Sequence, residues 1–149
     1  MNARKQLLRG ERGTTLVEAA LSATLLIGII FGVIAGGYML YTYHFLSYAA
    51  RSGARYAMVR GSACNGVGMP DCPNVTSDQV QTYVRSLRQL GINPSQLTVT
   101  TTWPKAGSDD PGNPVNVTAT YPFRFFVPVP FIKSQTVTMQ STSQMVISQ

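Results

Sequence analysis

One histidine, His44, and two cysteines, Cys64 and Cys72, are all that this 149-residue chain offers for imidazole or thiol chemistry. No Ser/His/Asp set, glycine-rich phosphate loop or pair of catalytic carboxylates can be assembled from what is present, which argues against an enzyme and against a bound cofactor. His44 stands just beyond an apolar run, where an interfacial aromatic residue is unremarkable. Charge is also scarce, at 12% of residues. From residue 19 to residue 43 no side chain other than tyrosine ionises, a run of 25 residues. A helix needs about 20 apolar residues to cross the hydrocarbon core, so this window is long enough to span with some tilt. Roughly 100 residues remain for a folded part, enough for one small core.

The charge that is present is unevenly placed. Residues 1–13 carry Arg4, Lys5, Arg9 and Arg12 against Glu11, a net +3 out of the whole chain's +6. Half of the excess therefore precedes the apolar run, where the positive-inside rule puts it and so holds the N-terminus in the cytoplasm. The rest of the chain has eight basic against five acidic residues and no dense basic patch with interleaved aromatics. That excludes a nucleic-acid surface as the meaning of the net charge. The leader is like the n-region of an export signal, but the apolar run after it is too long for a cleaved signal peptide, and no clean A-x-A-like site closes it. It reads as a permanent anchor in membrane lipid.

Both cysteines follow the span, in "CNGVGMPDC", and so lie outside the cytoplasm, where disulfides persist. The Gly/Pro-rich loop between them can close. The competing reading, a metal pair, is poor with no histidine near. Asp109 and Asp110 in "GSDDPGNP" could contribute oxygens to a calcium site, but Asp, Pro, Gly and Asn are equally the residues of turns. No metal site is assigned.

Helical character continues past the span. "YMLYTYHFLSYAARSGARYAMVRG" has no proline and sets Tyr41, Phe45, Tyr48, Ser52, Tyr56 and Val59 three or four apart, which predicts an aromatic stripe on an amphipathic continuation. One helix from Thr14 to Arg60 would be about 70 Å long at about 1.5 Å per residue. Within it Ala20, Thr24, Gly28, Gly32 and Gly36 fall four apart, a spacing of small residues that lets helices approach closely in a membrane. "TSDQVQTYVRSLRQLGI" predicts a short helix over 77–90, with a Thr76/Gln79 capping box and an apolar face of Val80, Tyr83, Val84, Leu87 and Leu90. Period-two segments at 97–103, 115–121 and 134–147 predict strands. The three prolines of "YPFRFFVPVPF" predict an edge, a bulge or an extended crossing there rather than a central strand. The expected fold is α+β. A long transmembrane and then amphipathic helix (14–60, about 19–43 in lipid) packs on a small antiparallel sheet with one short helix, in an extracytoplasmic domain over 61–149.

Glu18 stands where the apolar run begins. A carboxylate at the bilayer centre costs about 2.5–3.5 kcal/mol, less near the end of a span, and it needs a partner. A cut after Gly13 would supply one: Thr14 becomes a free amino terminus four residues from Glu18, at a helix end that also favours an acid.

A basic leader ending in glycine, an acid at the fifth position after it and an unbroken apolar helix resemble a type IV prepilin-type N-terminus, here "RG" followed by "TTLVE". More narrowly, "ERGTTLVEAALSATLLIGIIFGVIAGGYMLYTYHFLSYAARSGARYA" resembles the TadE/TadG-type minor pseudopilins of tight-adherence pili, and "VNVTATYPFRFFVPV" resembles the Tyr-Pro-Phe segment in their C-terminal sheet. The resemblance implies removal of residues 1–13 by a membrane prepilin peptidase at the Gly13–Thr14 bond. It implies a bacterial inner-membrane location with the C-terminal domain outside, other pilins or pseudopilins and the assembly platform as partners, and a part in pilus assembly, adhesion and surface colonisation. Ala19 directly after the acid, and the length of the mature chain, fit a minor component better than the major subunit. An uncleaved single-pass anchor carrying an extracytoplasmic binding domain is the alternative. It leaves the Gly13–Glu18 arrangement without a reason.

Overall fold

The computed structural model describes residues 13–64, 69, 71–87, 89–105, 109–125 and 135–148, together with the helical backbone of 3–12. The chain divides into two compact units, Met1–Tyr38 and Met39–Gln149. One helix, α1 (Ala3–Met58, 56 residues), forms the first unit and supplies the first element of the second. It meets no proline, since Pro70 is the first in the chain. Its first turns are rich in Arg, Lys, Gln and Leu, all good helix formers.

The second unit is α+β. After α1 come α2 (Ser77–Ser86), a single 3-10 turn at Pro94–Gln96, and strands β1 (Thr98–Thr102), β2 (Pro114–Arg124) and β3 (Thr136–Val146). The strands form one antiparallel sheet in the order β1-β2-β3, with Thr98 opposite Thr120 and Thr118 opposite Thr142. Alternation sets the core: Val115, Val117, Ala119, Tyr121 and Phe123 of β2 are buried on one face, with Val99 of β1 and Met139 of β3. Against that face lie Val80 and Val84 of α2 and the buried side of α1. The other face is hydroxyl-rich, with the Thr118 and Thr142 hydroxyls 2.9 Å apart across the strands.

The capping box forms as the sequence predicts. The Thr76 hydroxyl accepts from the Gln79 backbone N–H at 3.3 Å, and the Gln79 side-chain oxygen accepts from the Thr76 N–H at 2.7 Å. The helix ends earlier than expected, at Ser86, where the N–H of the capping Leu87 donates to the Val84 carbonyl. Leu90 therefore leaves the apolar face and is 89% exposed, while Ile92 turns back into the core.

Two further expectations are corrected. The buried side of α1 is not the aromatic stripe. It is Thr42, Phe45, Leu46, Ala49, Ala50, Gly53, Ala54 and Ala57, and only Phe45 is common to both, with Tyr48 well exposed. The reason is spacing. A Cβ on Gly53 would lie 3.0 Å from Val117 Cγ1, 3.0 Å from Val84 Cγ2 and 3.3 Å from Val80 Cγ1, so three elements converge where only a hydrogen fits. Bulky aromatics would hold them apart. Proline 122, in turn, lies inside the central strand. The pairing of β1 with β2 stops at Thr98–Thr120, so at Pro122 only β3 is alongside and the missing N–H is tolerated as it would be on an edge. The remainder of that proline-rich stretch, 126–131, lies outside the described residues, as do Ala106 to Ser108 of the β1–β2 loop.

Candidate functional site: the apolar helix and its acid

Every described residue of α1 from Gly13 to Ile34 is exposed. Leu16, Val17, Leu21, Leu25, Leu26, Ile29 and Val33 are each more than half exposed, and they point in all directions around the axis. A helix that is apolar on every side is built for burial in lipid or among other helices. By length and hydropathy it is one helix able to cross a membrane, and no residue of the apolar window is buried.

Near its start Gly13, Thr14, Val17, Glu18 and Leu21 line one shallow concavity. The proposed scissile bond and the acid thus share a helix face, as the four-residue step from Thr14 to Glu18 requires. The basic side chains of the leader, Arg4, Lys5, Arg9 and Arg12, lie outside the described side chains. A Cβ at Gly28, Gly32 or Gly36 would meet nothing within 4 Å. Thr24, one step earlier on the same four-residue series, turns its hydroxyl back on its own helix and donates to the Ala20 carbonyl at 2.8 Å. A series four residues apart is not a straight stripe. It follows the inclined ridge along which helices cross steeply, the geometry of close small-residue crossings in membranes.

The cysteines form the disulfide, with Cα atoms 5.8 Å apart. The residues around it close the far end of α1. Asp71, beside Cys72, accepts from the Tyr56 hydroxyl and, at 2.8 Å, from the Gln79 side-chain amide. It has a φ of 62°, a left-handed conformation that Asp tolerates better than most residues. Tyr56 stacks on Tyr83 of α2 with ring centroids 4.2 Å apart, and the Arg60 guanidinium covers its ring at 3.6 Å. The phenol's pKa is raised above 10.0, first by burial and then by the hydrogen bond to Asp71, outweighing the opposite pull of Arg60. The last carbonyls of the helix find donors. Tyr56 accepts from Arg60 at 3.1 Å and Met58 from the Ser148 N–H at 2.9 Å, the groups a helix end otherwise leaves orphaned.

Asp109 and Asp110 are brought to this same end as loop fasteners. The Asp109 carbonyl accepts from the Ser62 N–H at 3.0 Å, and the Asp110 carboxylate accepts from the Ser62 hydroxyl at 2.6 Å. Among the described residues no group of three or more His, Cys, Asp or Glu is placed to hold a metal ion. His44 is exposed on α1.

A further contact, between Tyr41 and the Gln89–Leu90 turn, had no signal in the sequence beyond the position of Tyr41 at the end of the apolar run. The Gln89 amide donates to the Tyr41 hydroxyl, and that hydroxyl lies 3.4 Å from the Leu90 carbonyl, its acceptor.

Residues 13–55 match the family model described as TadE-like protein. No curated protein and no solved structure matches the chain. The matched segment starts at Gly13 and takes in Thr14, Glu18 and the three glycines. The match and the long apolar helix support a membrane-anchored protein related to tight-adherence pili.

Proposed function

From this TadE-like segment we propose that the protein is a minor pilin or pseudopilin of a tight-adherence pilus. A prepilin peptidase cuts it between Gly13 and Thr14 on the cytoplasmic side of the bacterial inner membrane. The mature chain then joins other pilins or pseudopilins at the assembly platform, and the pilus serves adhesion and surface colonisation. The observation that carries this reading is Glu18: an acid on a helix that is apolar all round, sharing a face with the Gly13–Thr14 bond. Among packed apolar helices an unpaired carboxylate is strongly disfavoured. The amine of Thr14, in its own chain or a neighbour's, is the partner that cleavage creates, and pairing sets the axial register between subunits. The glycines at 28, 32 and 36 supply the close approach.

The second reading, an uncleaved anchor carrying a binding domain, draws on the helical backbone running unbroken through Gly13 and Thr14. For cleavage the peptidase has to unwind that turn, and the two glycines at 10 and 13 ease this. Mass spectrometry of the protein from native envelopes separates the two readings. A chain beginning at Thr14 supports the pilin reading, with Gly13→Ala partly tolerated and a bulky residue at 13 blocking the cut. An intact Met1, or a cut within the apolar run, contradicts it.

A further inference from the structure

The turn from Gln89 to Ile92 presents a leucine to the outside on a rigid mount. Ile92 is buried and its N–H donates to the Gln89 carbonyl at 3.3 Å. Gly91 takes a φ of 78°, which a side chain would resist, and the Asn93 N–H reaches the Tyr121 hydroxyl at 3.4 Å. The Gln89 amide and the Leu90 carbonyl are both bonded to the Tyr41 hydroxyl. These bonds hold the turn to α1 and to β2, yet the side chain it displays is Leu90, 89% exposed. An isolated exposed leucine is ordinary. A leucine at the tip of a turn bonded to the end of a membrane-crossing stretch is placed at a particular depth.

That depth follows from the sequence. The run free of ionisable groups other than tyrosine extends to residue 43, and about 20 residues suffice for the hydrocarbon core. Its last turn, with Tyr41 and Tyr43, therefore falls in the interfacial zone where tyrosine rings gather. Leu40 and Tyr43 are themselves well exposed there, at 62% and 47%. Arg85 lines the hollow beside Leu90, which sets a cation next to an apolar tip, as anionic headgroups and acyl chains together require.

We propose that the Gln89–Ile92 turn is a second membrane contact: Leu90 inserts into the interfacial layer of the outer leaflet at the level of Tyr41. The folded unit is thereby seated on the bilayer before the chain leaves it. The partner is the lipid surface, and the proposal rests on the reading of α1 as a membrane anchor.

The test uses the full chain reconstituted in phosphatidylethanolamine/phosphatidylglycerol vesicles. Trp103 is the one tryptophan, and its indole N–H makes no hydrogen bond among the described residues, so Trp103→Phe clears the background without breaking one there. Leu90→Trp then reports depth without disturbing the core, and Gln140→Trp on the exposed sheet face is the control. The expected result for Leu90→Trp is blue-shifted emission that is quenched more by spin labels high on the acyl chain than by labels near its end, with Gln140→Trp unquenched. Solvent-like emission at Leu90→Trp, or equal quenching of both probes, overturns the proposal. A blue shift that grows with protein density and resists lipid quenchers also overturns it, in favour of a contact between copies. Flotation with the vesicles reads the anchor separately, and a chain that does not float removes both.

Discussion

Gly53 and Gly32 stand on the same helix and could hardly be used more differently. Around Gly53 three valine methyls from two other elements lie within 3.3 Å of where a Cβ would be; around Gly32 there is nothing within 4 Å. The first glycine is consumed by the protein's own core. The second leaves open space beside the backbone, which suits the close helix approach proposed above. The helix therefore serves two units: past Tyr38 it walls a small α+β core, and from Gly13 to Ile34 every residue is exposed. The contacts that hold the fold lie in one region, and the proposed assembly role belongs to the other.

The comparison breaks most easily at Gly53. Gly53→Leu forces a branched side chain into the Val80–Val84–Val117 contact and is expected to cost about 3 kcal/mol, at the top of the overpacking range. Thermal unfolding of the full chain in detergent measures this. A loss under about 1 kcal/mol would mean that the close approach at Gly53 is looser than the valine distances require. Next in size is the Cys64–Cys72 disulfide, whose small ring is expected to contribute roughly 2–3 kcal/mol on the chain-entropy model. Unfolding with and without reductant reads it directly, and thiol labelling of unreduced, denatured protein should modify neither cysteine.

Tyr56 sharpens the comparison at the far end of the core. Tyr56→Phe deletes the hydroxyl that donates to Asp71 and should cost about 1 kcal/mol. The folded-state pKa is raised by burial and by Asp71, so as pH rises the unfolded chain loses this proton first. The contribution is thus complete below about pH 10, the ordinary tyrosine value, and is lost as pH climbs through the higher folded value. The phenolate absorbance difference between the parent and Tyr56→Phe should therefore appear above pH 10.0. The smallest expected effect is at Gly32. Gly32→Leu should leave the unfolding of the second unit unchanged within about 0.5 kcal/mol, while lowering the protein's recovery in sheared pili. A loss of fold stability there would erase the distinction between the two glycines.

The two regions also differed in how far the sequence disclosed them. Local chemistry was readable: Thr76 with Gln79 named the cap, alternating Val and Thr named three strands, and two cysteines around a Gly/Pro loop named a disulfide. The buried side of α1 was not, because hydrophobic periodicity rewards Tyr41, Tyr48 and Tyr56, whereas the packing distance at Gly53 rewards alanine. Leu90 misled for a related reason. It continues the α2 period, but the chain leaves the helix at Leu87 and Ile92 takes the inner place instead. Proline 122 misled because a strand can be central in a sheet and still lack one neighbour along its last residues. In the Gly13–Ile34 segment composition spoke more directly, since residues that all stay exposed have no core packing to override the pattern.

Glu18→Ala tests the central claim, that the acid on the bare helix exists for assembly and not for folding. The variant is made in the native strain, and its envelope fraction, its mature N-terminus and its recovery in purified pili are measured together. The expected outcome is a chain that inserts, is cut before Thr14 and folds outside the membrane, yet is missing from the filament, with Glu18→Asp intermediate because its shorter arm reaches the amine poorly. Normal pili that contain the Glu18→Ala protein would contradict it.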